Sequence, residues 1–171
     1  MEYVKDLLWK KGITVHELIQ SSNNLGFQST QLSRAAKLVE KMKREGVKIY
    51  LTFTSNMVTS GLRGFFAQII KLGLADVIVT TTGAIEEDIM KAKGEHFILG
   101  DFNSNDVALY EKGVNRVGNL YITNESYSKF ENEMTRLLKR CYDQQKRWSV
   151  SELLKEMGKD LNDEQSILYQ A

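Results

Sequence analysis

Val47-Lys48-Ile49-Tyr50-Leu51-Thr52-Phe53 passes without a break into Thr54-Ser55-Asn56, so a run of β-forming residues ends in hydroxyl and amide side chains. Residues 47–53 read as a short buried strand, being rich in β-branched and aromatic side chains. Upstream, Leu32, Ala35, Ala36, Val39 and Met42 fall on one helical face, and Gly46 stands where such a helix stops. Downstream, a second helical stretch runs through Leu62, Phe65, Phe66, Ile69 and Ile70 to Gly73. Residues 75–79 repeat the strand signal, and Thr80-Thr81-Thr82 leads into a third helix near residues 84–92. Residues 119–122 read as another strand, followed by a long amphipathic helix over about 124–146. Ser149 with Glu152 has the form of a capping box that opens a further helix. Strands alternating with helices predict an α/β fold, a doubly wound and mostly parallel sheet with helices on both faces, and residues 1–171 are expected to form one domain. Ligands on such sheets bind beyond the carboxyl ends of the strands, which here are residues 54–59 and 80–88.

Composition narrows the function classes. The chain has 171 residues, 42% hydrophobic and 26% charged, within the range of ordinary globular domains. Lys and Arg number 23 against 22 Asp and Glu, a balance that gives no argument for nucleic acid or an anionic membrane as partner. No apolar run approaches the length of a bilayer span, and Met1-Glu2-Tyr3-Val4-Lys5-Asp6 carries acids where a secretory signal would be basic and then apolar. A cytoplasmic protein is expected. Cys141 is the single cysteine and continues a helical stripe with Tyr127, Phe130, Met134, Leu137 and Leu138, so burial is expected rather than reactivity. His16 belongs to an early helix and His96 to a loop, and no His, Cys and acid set has metal-ligand spacing.

The first strand-end loop, Thr54-Ser55-Asn56-Met57-Val58-Thr59-Ser60-Gly61, has two readings. Backbone N–H groups at the following helix start could hold a phosphate, or the residues simply form a cap and turn. The second, Thr80-Thr81-Thr82-Gly83-Ala84-Ile85-Glu86-Glu87-Asp88, is equally open. Three acids in a first helical turn are stabilised by the helix dipole. Alternatively, since successive helical residues project about 100° apart, one of Glu86 and Glu87 faces the crevice, where it would attract an ammonium group.

Together these loops closely resemble deoxyhypusine synthase, through Thr54 to Gly61 and Asp76-Val77-Ile78-Val79 with Thr80 to Asp88. Gly26-Phe27-Gln28, Gly113-Val114-Asn115-Arg116-Val117-Gly118-Asn119-Leu120, Asn124-Glu125-Ser126-Tyr127, residues 149–158 and Ser166-Ile167-Leu168-Tyr169 extend the likeness in register from about Gly12 onward. The resemblance implies a Rossmann-like, NAD-binding α/β fold that moves the aminobutyl group of spermidine onto one lysine of the translation factor 5A precursor. In that family NAD takes a hydride from spermidine, an enzyme lysine accepts the resulting imine before the factor does, and the hydride is then returned. Carried over, Ser55, Asn56, Met57, Val58 and Thr59 match the first NAD-contacting segment, and Thr81, Thr82 and Gly83 the second. Glu86 and Glu87 match spermidine-contacting acids, with Glu87 also near the cofactor.

Thr59 departs from the family's usual serine, and Thr82-Gly83-Ala84 from its usual Ala-Gly-Gly; both keep small residues. The larger departure is length, since the family's chains are roughly double this one. None of the lysines here matches the motif of the family's nucleophilic lysine, so no catalytic residue is assigned. The fold is thus expected to be incomplete without a C-terminal half, supplied by a complementary chain or an intact synthase subunit in a homo- or hetero-oligomer, as the family's tetramers suggest. Two other roles fit the same residues: a non-catalytic regulatory paralogue paired with an intact synthase, and a homospermidine synthase-like enzyme.

Overall fold

A computed structural model describes residues 2–171. The chain divides into two compact units, one ending at Ile49 and one running from Tyr50 to Ala171.

In the first unit, α1 (Val15–Ser21) begins with a capping box. The Thr14 backbone N–H donates to the Glu17 carboxylate at 2.8 Å and the Thr14 hydroxyl accepts from the Glu17 N–H at 3.2 Å. The Thr14 N–H, then Lys10, holds the Glu17 carboxyl down to about 2. Helix α2 (Gln28–Arg44) follows the predicted periodicity and ends before Gly46, whose positive φ of 67° is one glycine adopts easily. Its expected inward stripe is not covered, however: Leu32 and Val39 are exposed, while Ser33 is buried.

The second unit is built around the helix over Thr82–Ala92. Strands β1 (Tyr50–Phe53) and β2 (Val77–Thr80) pair in parallel with Phe53 opposite Thr80. Between them come α3 (Ser55–Met57), a π-turn (Val58–Leu62) and α4 (Arg63–Lys71). Helix α5 (Thr82–Ala92) follows β2. Phe53, Val58, Phe66, Ala67, Ala84 and Ile167 form a core with Leu51 and Ile78 packed on it, and the Phe53 and Phe66 rings stack at 3.8 Å. A second core joins Ile89, Leu161 and Leu168 to Phe130, Met134 and Leu154. Helix α5 contributes Ala84 to the first and Ile89 to the second, so it is the wall between them.

The alternating pattern predicts a mostly parallel, doubly wound sheet; of its three expected strands only the first two pair in parallel, and the one expected at 119–122 lies in an antiparallel sheet. Leu51, Phe53 and Ile78 face the first core, whereas Tyr50 and Val79 on the opposite face are 67% and 52% exposed. Among the described residues no third strand joins this pair. The remaining strands form a separate antiparallel sheet in the order β3 (Ile98–Leu99), β5 (Leu120–Thr123), β4 (Val114–Val117), preceded in part by α6 (Asp106–Glu111). Gly118 and Asn119 connect β4 to β5, and Gly118 supplies the positive φ of 63° that a two-residue hairpin turn requires. Arg116 of β4 forks onto Asp106 at 2.6 and 2.7 Å. At Gly100 an added Cβ would lie 2.0 Å from the Tyr121 ring, so glycine is required there.

Helix α7 (Asn124–Gln144) starts from a Thr123 cap and α8 (Val150–Gly158) from the predicted Ser149–Glu152 box; α9 (Ile167–Gln170) closes the unit. Leu137 and Cys141 are buried on α7, whereas Leu138 is 49% exposed. Among the described residues no helix is long and apolar enough to cross a membrane, and no three His, Cys, Asp or Glu side chains gather as a metal site would need.

Candidate functional site at the strand ends

The parallel register sets Thr54 and Ser55 beside Thr81, and side chains stitch the two loops together. The Thr80 hydroxyl donates to the Phe53 carbonyl at 2.8 Å, and the Ser55 N–H donates to the Thr81 hydroxyl at 3.1 Å. A Cβ on Gly83 would come within 3.1 Å of the Ser55 Cβ, so this glycine lets the two loops approach. Ser55, Asn56, Met57, Thr81, Thr82 and Gly83 therefore gather at one end of the β1–β2 pair. Asn56, Met57, Thr81 and Thr82 are exposed there, and the Thr54 hydroxyl contacts the Asn56 amide oxygen. Val58 lies instead fully within the first core, and Thr59 is buried beneath the loop.

The π-turn accounts for that inward placement. Gly61 takes φ of 106°, interrupting the helical path between α3 and α4 and turning Val58 and Thr59 toward α5. The Thr59 hydroxyl lies 2.8 and 2.6 Å from the two Glu87 carboxylate oxygens and 3.0 Å from the Ser55 carbonyl. Burial pushes the half-buried Glu87 carboxyl up, Thr59 and the Lys91 charge pull it back, and Glu86 adds repulsion. Burial pushes the Lys91 ammonium down while the Glu87 charge opposes it. Burial, then the Glu86 and Glu87 charges, raises the Tyr127 phenol, which places all three groups in one electrostatic neighbourhood. A pair of carboxylates beside a phenol and a hydroxyl-lined loop attracts a cation and offers it hydrogen-bond acceptors.

The three acids do not share one setting. Helix α5 begins at Thr82 with Thr81 as its cap, so Glu86, Glu87 and Asp88 lie beyond the first turn, where the dipole has faded. Asp88 is fully buried on the other side of the helix. It accepts from Arg63 Nε at 2.6 Å, from the Ser166 hydroxyl at 2.8 Å, and from the Ile167 and Leu168 N–H groups at 3.1 and 2.9 Å. Arg63 also reaches Asp163 at 2.7 Å. Lys91 and Tyr127 were not expected in the cluster. The four-residue step from Glu87 to Lys91 was a visible signal, and Tyr127 was legible as part of the α7 stripe and of the Asn124–Tyr127 segment, neither of which pointed to the acids.

A model of the family described as deoxyhypusine synthase matches residues 17–171. The deoxyhypusine synthase of Neurospora crassa is 33% identical over 175 residues, covering 93% of this chain and 49% of its own length. A Schizosaccharomyces pombe chain assigned the same name is 37% identical, covering 94% of this chain and 50% of its own. A crystal structure assigned as a deoxyhypusine synthase, from Entamoeba histolytica, superposes with a TM-score of 0.68 at 31% identity, over 98% of this chain and 60% of that one. The chain thus spans about half the length of the curated relatives it matches. With both strand-end loops inside the matched region, the chain belongs to the deoxyhypusine synthase family.

Proposed function

We propose that this chain supplies the N-terminal part of a cytoplasmic deoxyhypusine synthase site, for NAD-dependent transfer of the spermidine aminobutyl group to a lysine of translation factor 5A. The observation that carries the reading is the Glu87 carboxylate, half-buried against the Thr59 hydroxyl and one residue from Glu86, at the carboxyl end of a parallel strand pair. A carboxylate kept out of water needs a cationic partner, and a polyamine ammonium is one. The exposed Asn56, Met57, Thr81 and Thr82, with the partly buried Ser55 and Gly83 beside them, suit NAD, Gly83 being free of the Cβ that would crowd Ser55. Val58 and Thr59 would act from beneath this surface, Val58 through its backbone and Thr59 through Glu87. NAD, when bound, would supply the hydride acceptor.

No residue of this chain is assigned as the nucleophile, so the complete site needs what the relatives' other half carries, from a second polypeptide or from further residues of the same one, within a homo- or hetero-oligomer. The open face carrying Tyr50 and Val79 supports such a partner, because burying it would cover an apolar sheet face. The chain should give no product from NAD, spermidine and factor 5A precursor by itself, and product should appear once a chain resembling the C-terminal half of the relatives is added. Product from the chain alone, or none with the complement, overturns the proposal.

A further inference from the structure

We propose that Lys91 is a positioning residue for the cation site, pinning the π-turn to α5 and standing as a fixed positive charge behind Glu87. This rests on the reading of Glu87 as the ligand's carboxylate. Lys91 Nζ donates to the Val58 carbonyl at 2.9 Å and lies 4.4 Å from the centre of the Phe97 ring, so hydrogen bond and ring face together fix the ammonium. Val58 immediately precedes Thr59, whose hydroxyl meets Glu87, and Glu87 stands one helical turn before Lys91. The four residues close a ring: Lys91 to Val58, Val58 to Thr59 along the chain, Thr59 to Glu87, and Glu87 back to Lys91 along α5.

The ring sets a positive charge against the burial that raises the Glu87 carboxyl. Around Glu87 stand the Thr59 hydroxyl from the π-turn, Glu86 and Lys91 from α5, and the Tyr127 phenol from α7. Arg63 and Asp88 also act on Lys91, but they bind each other. Lys91 is thus the positive group that offsets burial and the Glu86 repulsion. A peg that only held the turn would do neither.

The test uses the full chain carrying 13C-labelled glutamate carboxyls, with Glu87 assigned by its loss in Glu87→Gln. Lys91→Met keeps the aliphatic stem on Phe97 and removes the charge, whereas Lys91→Arg keeps the charge. The Glu87 titration midpoint should rise in Lys91→Met and return toward wild type in Lys91→Arg. With the complementing chain and NAD, spermidine affinity of Lys91→Met should fall several-fold more at about pH 6 than at about pH 8. A Glu87 midpoint unmoved in Lys91→Met overturns the proposal. Should Lys91→Met fail to fold, Glu87→Gln tests the same coupling in reverse: the Lys91 midpoint must fall, and an unmoved midpoint overturns the proposal. A shifted midpoint with no spermidine binding in wild type leaves the Lys91–Glu87 coupling standing and sinks the ligand reading instead.

Discussion

On one side of α5 the Glu87 carboxylate is half-buried and meets a single hydroxyl, that of Thr59. On the other, one residue along, the Asp88 carboxylate is fully buried and accepts from a guanidinium, a hydroxyl and two backbone N–H groups. Both side chains are acids removed from water, yet only Asp88 is saturated with donors. Its partners come from α4 and from the start of α9, so it joins segments of the second unit far apart in sequence. Glu87 keeps accepting capacity in reserve and tolerates a raised ionisation cost. A carboxylate that is fully paired holds a fold together, and one left partly unpaired is available to a ligand.

The largest effect expected from this contrast is on Asp88. Asp88→Asn leaves Arg63 with Asp163 alone as counter-charge and turns an acceptor of four donors into an amide, and should cost about 3 kcal/mol, lowering the melting temperature on the order of 10 °C. A loss under about 1 kcal/mol would break the contrast. Glu87→Gln should act in the opposite register, costing about 2–5 kcal/mol of spermidine affinity in the complete assembly, with Glu86→Gln costing less. Its melting temperature should stay level or rise slightly at neutral pH. Because the Glu87 value is raised on folding, its ionisation withdraws stability as pH rises through the folded value. Below the ordinary glutamate value of 4.5 that difference closes, so the variant's margin should vanish near pH 4.

A smaller effect is expected at the seam between the loops. Gly83→Val presses on Ser55 and should cost about 1–3 kcal/mol of stability together with NAD affinity in the assembly. Unchanged NAD affinity, by calorimetry, would remove Gly83 from the cofactor surface. Smallest is Thr59→Val, which keeps shape and deletes the hydroxyl. The Glu87 midpoint should climb further while the melting temperature moves by no more than a few degrees. A fixed midpoint would show that Thr59 does not hold the carboxylate.

The local half of this arrangement was legible in the sequence. Caps, helix periodicity and the carboxyl ends of β1 and β2 all depend on residues within one turn or one strand, and they lie close to where the pattern puts them. The antiparallel sheet was harder to read because β3 has only two residues and β4 alternates Val114-Asn115-Arg116-Val117, although the Gly118-Asn119 pair was a hairpin signal. The partition of the three acids was illegible. Asp88 differs from Glu87 through Arg63, 25 residues before it, and Ser166, 78 after, and no spacing rule reaches that far. The α2 stripe shows the reverse limit, since periodicity identified the helix but not whether anything covers Leu32 and Val39.

The lone thiol gives the second unit a built-in clock. Cys141 is 2% exposed on α7, and the Trp148 indole N–H reaches its backbone carbonyl at 3.1 Å, tying the connection toward α8 back onto the helix. A sulfhydryl reagent can reach it only when that packing opens, so the labelling rate counts openings of the α7–α8 corner. With no other cysteine in the chain to blur the signal, the opening of this corner can be timed without adding a probe.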